Sequence, residues 1–528
     1  MTTDPPAAAP AGTIADPRRR RAVLIAVCVA LMAVIASVSG LNVAQPELAV
    51  EFGASQGDVL WIINSYTITL AALLLPLGAL GDRVGRRPVL LAGLAVFGLA
   101  SAAAGLAPST GVMIAARVLG GVGAAMIMPV TLAVITSTFP DDERAKAIGV
   151  WTAVAGGGGI LGMYLSAVLV DAASWRWLFV LPVALVLAAV ALALRSVPNS
   201  REASTARFDL VGSVLAVLAV LGVVVVLHEG PEQGWTAPGT LVSLLVGVLA
   251  AAGFTAWELR QPAPLLDVRL FRERRLAGGS LALLVVFGVQ AGVFVVLFPY
   301  LQAVLGWSAL RSTLALMPMA LLMMGSSGLA PKLSARIGGR RTIAGGIGLG
   351  TVGLVLMAVF VSVDGGYLSV LGGLLAIGLG MGLTMTPATE AITGALPRER
   401  QGVASALNDV TRELGTALGV ALLGAVLSAG YRSALDPQLP EGVPAGAAGA
   451  AREGVANALA AAGGAGPQAQ ALVRAAQEAF VDGWQRAMWA GAAVMAALLV
   501  TVLVPGPRST PVDGGRTTGT REDLELRR

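Results

Sequence analysis

The chain has 528 residues, of which 56% are hydrophobic and 13% charged, with a mean hydropathy of +0.78 and a formal net charge of +5. Soluble domains carry about a quarter charged residues, so a soluble fold is excluded. A single cysteine, Cys28, and a single histidine, His228, exclude a disulfide framework and argue against a zinc or haem centre; both read as packing residues, and no cofactor is expected.

The apolar residues come in runs of about 20, the length at which an α-helix crosses about 30 Å of hydrocarbon. The ten-residue alternation of a β-barrel is not visible, so the fold class is an all-α membrane protein. Residues 1–21, rich in Pro and Ala, are expected to be a disordered tail. Six helices are predicted near 22–42, 59–80, 88–107, 111–137, 147–170 and 176–194, making one half of the molecule (22–194). The first run lacks a small-residue cleavage site and reads as a retained helix. Two further helices near 210–228 and 239–257 lie within a connecting region, 195–276. A second six-helix half (277–504) follows, with helices near 277–304, 312–331, 341–362, 366–393, 402–428 and 486–504. Its residues 430–482 form a long Ala- and Gly-rich loop, in which Gln468 to Val481 suit a short amphipathic helix. The loop reads as a spacer on the outer surface, with a lid over the exit as the alternative. Residues 505–528 are expected to be a second disordered tail.

With the N-terminus inside, 28 of the 36 basic residues fall on the inner side and six on the outer, while Arg117 and Arg412 lie within helices. That asymmetry predicts a multi-pass protein with both ends cytoplasmic, and the bias to arginine, with Lys146 and Lys332 the lysines, together with the Ala and Gly richness suggests a high-GC bacterium and hence a bacterial inner (plasma) membrane. The basic residues sit at helix ends and form no patch, so nucleic acid is not an expected partner. Leu80-Gly81-Asp82-Arg83-Val84-Gly85 follows helix 2, and Leu333-Ser334-Ala335-Arg336-Ile337-Gly338 follows helix 10. The shared Leu-x-x-Arg-x-Gly at equivalent places reads as a duplicated six-helix unit with two helices inserted between the copies.

Gly78-Ala79-Leu80-Gly81-Asp82-Arg83-Val84-Gly85-Arg86-Arg87 resembles the loop motif of the major facilitator superfamily, and fourteen helices narrow the resemblance to its drug:proton antiporter group. Asn42-Val43-Ala44 with Pro46, Trp61 and Tyr66 in helix 2, Arg117 in helix 4, Trp175-Arg176-Trp177 and Leu265 to Phe271 are further matches. Pro387 to Gly424 is similar to actinobacterial members. The resemblance covers roughly residues 20–505. It implies an exporter of small amphipathic drugs or natural products, an antibiotic or multidrug efflux protein working by alternating access and proton antiport. Its expected partners are a small-molecule substrate, protons and the lipid bilayer, and it is expected to act as a monomer. Asn42, Trp61 and Tyr66 are candidates for the substrate cavity.

The loop motif makes physical sense by itself. Gly78 and Gly85 allow close approach and a tight turn, and Asp82 is an anion on the face where helix 13 starts. Hydrogen bonds from that helix N-terminus would latch the halves together on the inside, the role the resemblance also implies. The plainer alternative is a charged loop, Asp82 with Arg83, Arg86 and Arg87, that only sets topology. Ionisable residues inside membrane helices are functional candidates by default. The resemblance links Arg117 to proton coupling. Glu390 is read about two turns from the inner end of helix 12. Asp409, Arg412 and Glu413 share one face in the inner half of helix 13, at comparable depth. A carboxylate in a low-dielectric cavity can hold a proton near neutral pH. A static ion pair with Arg412 is the alternative.

Several positions depart from the family pattern. Ser37 stands where an acidic residue is usual in helix 1, Gly120 where a glutamine follows the arginine of helix 4, and Gly162-Met163-Tyr164-Leu165-Ser166-Ala167 where helix 5 would read Gly-Pro-x-x-Gly-Gly. Only Gly162 survives of that motif, so a straighter helix 5 is expected, with Gly156 to Gly159 supplying flexibility. These departures keep open a second reading, an uncoupled facilitator or importer of a small organic molecule. A channel or membrane-embedded enzyme is disfavoured, since no phosphate-binding loop, His/Cys cluster or nucleophile motif is present. The chain is therefore not expected to be an enzyme.

Overall fold

A computed structural model describes residues 14–41, 48, 51–53, 56–172, 174–200 and 208–504. Fourteen helices among them are long and apolar enough to cross a membrane. The first half comprises α1 (Pro17–Leu41), α2 (Gln56–Val84), α3 (Arg86–Gly105), α4 (Thr110–Thr138), α5 (Asp141–Ala172) and α6 (Trp177–Ser196). The connecting region holds α7 (Leu210–Gln233) and α8 (Pro238–Glu258). The second half comprises α9 (Arg274–Pro299), α10 (Met317–Ile337), α11 (Gly339–Phe360), α12 (Leu368–Thr393), α13 (Gln401–Leu435) and α14 (Ala469–Leu503).

Local chemistry sets the boundaries. Ser109 and Asp209 accept from the backbone N–H of Val112 and Gly212 and so cap α4 and α7. Gly85 (φ 121°) and Gly338 (φ 91°) break the chain between α2 and α3 and between α10 and α11. Only glycine takes this backbone conformation without strain, so the repeated loop has one geometry in both halves.

Lipid gives helices no hydrophobic reason to associate, so close packing of small residues carries much of the assembly. Gly288 lies against the backbone of Gly415 and Gly419, and Gly222 against Gly247. Each half forms its own bundle, and the halves meet along two seams, α2 with α13 and α5 with α10. From inside the molecule, α4 packs on α13 and α12 packs on α5. Helices α7 and α8 pair with each other, and α7 also lies against both α2 and α13.

Of the boundaries that differ from the sequence expectation, three bear on the organisation of the chain. Helix α1 begins at Pro17, so Arg18 to Arg21 form its first turns and are not tail. Arg20 is buried, hydrogen-bonded to the carbonyls of Ile14 and Ala15 and paired with Glu143 at 2.8 Å. Residues 1–13, 505–528 and the Asn42-Val43-Ala44 stretch lie outside the described residues. The largest difference is in 430–482. Helix α13 runs on to Leu435, and the segment expected as a separate amphipathic helix is the first third of α14. It continues because Leu472, Ala475, Ala476, Ala479 and Phe480 make a buried stripe and no proline interrupts residues 468–504.

Between these helices lie two short ones, Ala445–Glu453 and Val455–Ala461. They form a packed cap. Tyr431 donates to the carbonyl of Ala451 at 2.6 Å, and Gln477 donates to the carbonyls of Ala303 and Val304 at the π-helical end of α9. Arg474 donates to both oxygens of Asp364 at 3.0 and 2.9 Å, which holds that carboxyl below the usual carboxylate range. A loose spacer is therefore not what this region is.

Candidate functional site

The arginine-rich ends of the helices share one face, the basic face, and the α2–α13 seam is closed there. Gly78 faces Gly402 closely enough that a Cβ on Gly78 would stand 2.6 Å from the Gly402 carbonyl oxygen. This crossing brings the last turn of α2 to the first turn of α13. Asp82 Oδ1 accepts from the Gly402 N–H at 2.8 Å and Oδ2 from the Val403 N–H at 3.2 Å. These are two of the donors that a helix N-terminus leaves without intrahelical partners. Arg86 completes the site: its Nε and Nη2 donate to Asp82 Oδ1 at 3.2 and 2.8 Å, and Nη2 also donates to the Arg398 carbonyl at 3.0 Å. Asp82 and Arg86 are both buried. Arg87 donates to the Leu194 carbonyl at 2.7 Å within its own half, and Arg83 stacks 5.6 Å from the ring of Phe208, just before α7.

A second set of contacts crosses the halves nearby. Arg398 pairs with Asp141 at the start of α5 at 2.7 Å, and Asp141 also pairs with Arg144. Arg144 is in turn the electrostatic partner of Glu390. Glu390 lies in the last turn of α12, which ends at Thr393, so it is nearer the basic face than expected and not at the depth of the α13 carboxylates. It belongs with this rim of charges.

Deeper in the seam, polar side chains from both halves approach one another. Asp409 is wholly buried; its Oδ1 accepts from Asn408 Nδ2 at 3.1 Å, and Asn408 Oδ1 accepts from Thr389 at 3.0 Å. The Arg412 guanidinium is 3.7 Å from Asp409 Oδ1, too far for a hydrogen bond, and instead lies over the rings of Phe287 at 4.4 Å and Trp151 at 5.7 Å. Asp409 Oδ2 and Arg412 Nε and Nη1 are buried without a hydrogen-bond partner among the described residues. Glu413 is close enough to Arg412, Asp409 and Tyr66 to interact electrostatically with all three.

Across the seam, Tyr66 is fully buried and its ring lies 4.2 Å below Arg117. Gly120 leaves room for that ring, 3.4 Å from where a Cβ would stand. Arg117 donates to the Ile62 carbonyl at 3.3 Å and to Ser37 Oγ at 3.1 Å. The residue that replaces the usual acid of helix 1 is thus the neutral acceptor of Arg117. Ser37, Arg117, Tyr66, Glu413, Arg412 and Asp409 form a chain of neighbours from α1 to α13. Trp61 stands apart, half exposed towards the opposite face.

In the other seam, Thr152 and Thr386 share a hydrogen bond of 2.8 Å between halves. Gly156 and Gly157 admit Met323 and Met324 of α10, while Gly158 admits Met32 of α1. Gly162 is buried one turn on, in an α5 that is unbroken over 32 residues. Sequence reasoning missed Trp151, Phe287 and Thr389 as surroundings of the α13 charges. An aromatic residue in an apolar run carries no mark of the cation it will face, whereas Asn408 beside Asp409 was a usable signal.

Residues 23–420 match the family described as Major Facilitator Superfamily. Among curated proteins, the chain is 34% identical over 422 residues to the multidrug resistance protein Stp of Mycobacterium tuberculosis, covering 80% of this chain and 78% of that protein. It is 33% identical over 467 residues to the multidrug efflux pump LfrA of Mycolicibacterium smegmatis (87% and 90% covered), and 34% identical over 413 residues to the cephamycin export protein CmcT of Amycolatopsis lactamdurans (77% and 85%). The fold is that of the human organic anion transporter MFSD10 (TM-score 0.59, 16% identity, 91% of this chain and 100% of that one) and of the proton:xylose symporter XylE (0.56, 14%, 92% and 96%). With the repeated loop, the two seams and these matches together, the chain belongs to the Major Facilitator Superfamily.

Proposed function

We propose that the protein exports small amphipathic drugs or natural products across a bacterial plasma membrane, drawing its energy from proton entry. Export is carried by one observation: relatives matched over at least three quarters of the chain are named as efflux, resistance or export proteins. The basic face is the cytoplasmic one, following the arginine asymmetry. In this reading the Asp82 site holds the halves together on the cytoplasmic side, and its release lets them rock about the α5–α10 packing.

Proton coupling draws support from the under-satisfied charges of α13. A buried polar group without a partner costs about 1–3 kcal/mol, so these charges call for a reason, and a change of partner during transport supplies one. Asp409 and Glu413 share a single guanidinium, so one carboxyl can be neutral while the other is paired. A proton entering at the α13 carboxylates would free Arg412 and alter the seam that Tyr66 and Arg117 face.

The experiment is transport in proteoliposomes. Asp409→Asn and Glu413→Gln should lose export driven by an imposed pH gradient while keeping downhill substrate exchange. If both activities vanish together, the group is a structural ion pair, whose breakage costs roughly 3–5 kcal/mol. Unchanged gradient-driven export with Glu390, Asp409 and Glu413 all neutralised would establish the second reading, an uncoupled facilitator. One observation favours that reading: Arg117 meets a serine where a carboxylate would carry a proton.

A further inference from the structure

A groove of about 420 Å³ lies between α1, α5 and α6, lined by residues of the first half. Cys28, Met32, Val150, Val154 and Leu185 line it, with Arg21 at its basic-face end. Ile25 and Val150 at its edge are 46% and 39% exposed, so it opens onto the surface that meets the bilayer. From Arg21 to Met32 it follows α1 for about 16 Å at the helical rise of 1.5 Å per residue. Half of a hydrocarbon core of about 30 Å is the same length. Leu185 lies equally far from the end of α6 at Ser196, so both walls stop at the same depth.

We infer that this groove holds one acyl chain of an anionic phospholipid of the leaflet on the basic face, with the lipid phosphate on Arg21. Three features choose this occupant. The lining is apolar from end to end and as deep as one leaflet. The only charge is at headgroup depth and positive, which attracts a phosphate and repels a cationic amphiphile. Along α8, by contrast, Leu245 and Leu249 stand out from the helix, 59% and 62% exposed. The bound chain would end on Met32, which packs against Gly158 in the glycine run of α5. Lipid occupancy thus bears on the helix that slides against α10, whatever ion drives transport.

The test is photocrosslinking of the full-length protein in nanodiscs, using phosphatidylglycerol with a diazirine at mid-chain. Labels should concentrate on the stretch from Cys28 to Met32 and on Val154, well above those on Leu249. Unlabelled phosphatidylglycerol should displace the probe about fivefold better than phosphatidylcholine, and Arg21→Gln should remove that preference. Cys28→Phe, which fills the groove, should remove the labels themselves. Arg21 is exposed, so its variant reads out even if the filled groove fails to fold. Labelling no denser than on α8, or equal displacement by both lipids in the unmodified protein, overturns the inference. So does displacement by tetraphenylphosphonium but not by phosphatidylglycerol, which would give the groove to cationic cargo.

Discussion

The two seams between the halves are built from the same pair of repeated helices and held by different forces. Along α2–α13, a buried carboxylate, a buried guanidinium and a helix N-terminus meet at one point, where Asp82 takes four hydrogen bonds from Arg86, Gly402 and Val403. Along α5–α10, methionines pack on glycines, and beside them Thr152 of α5 shares a hydrogen bond with Thr386 of α12. The loops repeat this division. Gly85 and Gly338 share a backbone conformation, yet Asp82 is buried against the other half, while its counterpart Ala335 is exposed and uncharged. Duplication supplied the geometry twice and the charge once. One seam is therefore held by a few buried polar contacts, and the other by apolar packing.

Four substitutions would break or sharpen that contrast. The largest effect belongs to Asp82→Asn, which takes the anion from two backbone donors and leaves the Arg86 guanidinium buried without its counter-charge. Hydrogen bonds to charged groups contribute about 1.5–3 kcal/mol, so export should slow by at least about tenfold with normal membrane insertion. Transport at the ordinary rate would show that the seam is not held there. Next comes Gly402→Ala, whose Cβ meets the Gly78 carbonyl and the Asp82 carboxylate. Thiol probes added from the basic face should reach a cysteine at position 406 severalfold faster; unchanged labelling would mean that the crossing tolerates a methyl group. Arg83→Ala removes the stacking on Phe208, worth about 0.5–1 kcal/mol, while the four hydrogen bonds to Asp82 stay, and should cost less than about fivefold in export. Last, Ala335→Asp puts the missing carboxylate into the second loop, where it faces solvent. Export within about twofold of normal is expected, and a strong loss would reveal a hidden partner for that loop.

The fourteen helices were legible because the bilayer fixes their length, and the repeated loop because glycine is required at both turns. That Asp82 can meet the start of α13 followed from orientation alone, since the arginines put both on one face. The deeper cluster was legible only as residue types. Nothing local announces that Arg412 lies between Phe287 and Trp151, from α9 and α5, because those contacts join positions far apart in the chain. Glu390 was read too deep: it stands three residues before Thr393, where the helix ends in both readings, and that is less than one turn. The region 430–482 was misread for a related reason. Its Ala- and Gly-rich composition suggests looseness, but small residues are also what lets Ala447, Ala451 and Ala458 bury themselves against neighbouring helices.

Helix α7 lies on the lipid side of the latched seam, touching both α2 and α13, and the hairpin it forms with α8 has no counterpart beside α5 and α10. The molecule is consequently one-sided in the plane of the membrane. A compound dissolved in the bilayer meets a wall of two extra helices when it approaches along α2–α13, and bare helix surface when it approaches along α5–α10. The added hairpin thus tells apart two flanks that the six-helix repeat alone would make alike.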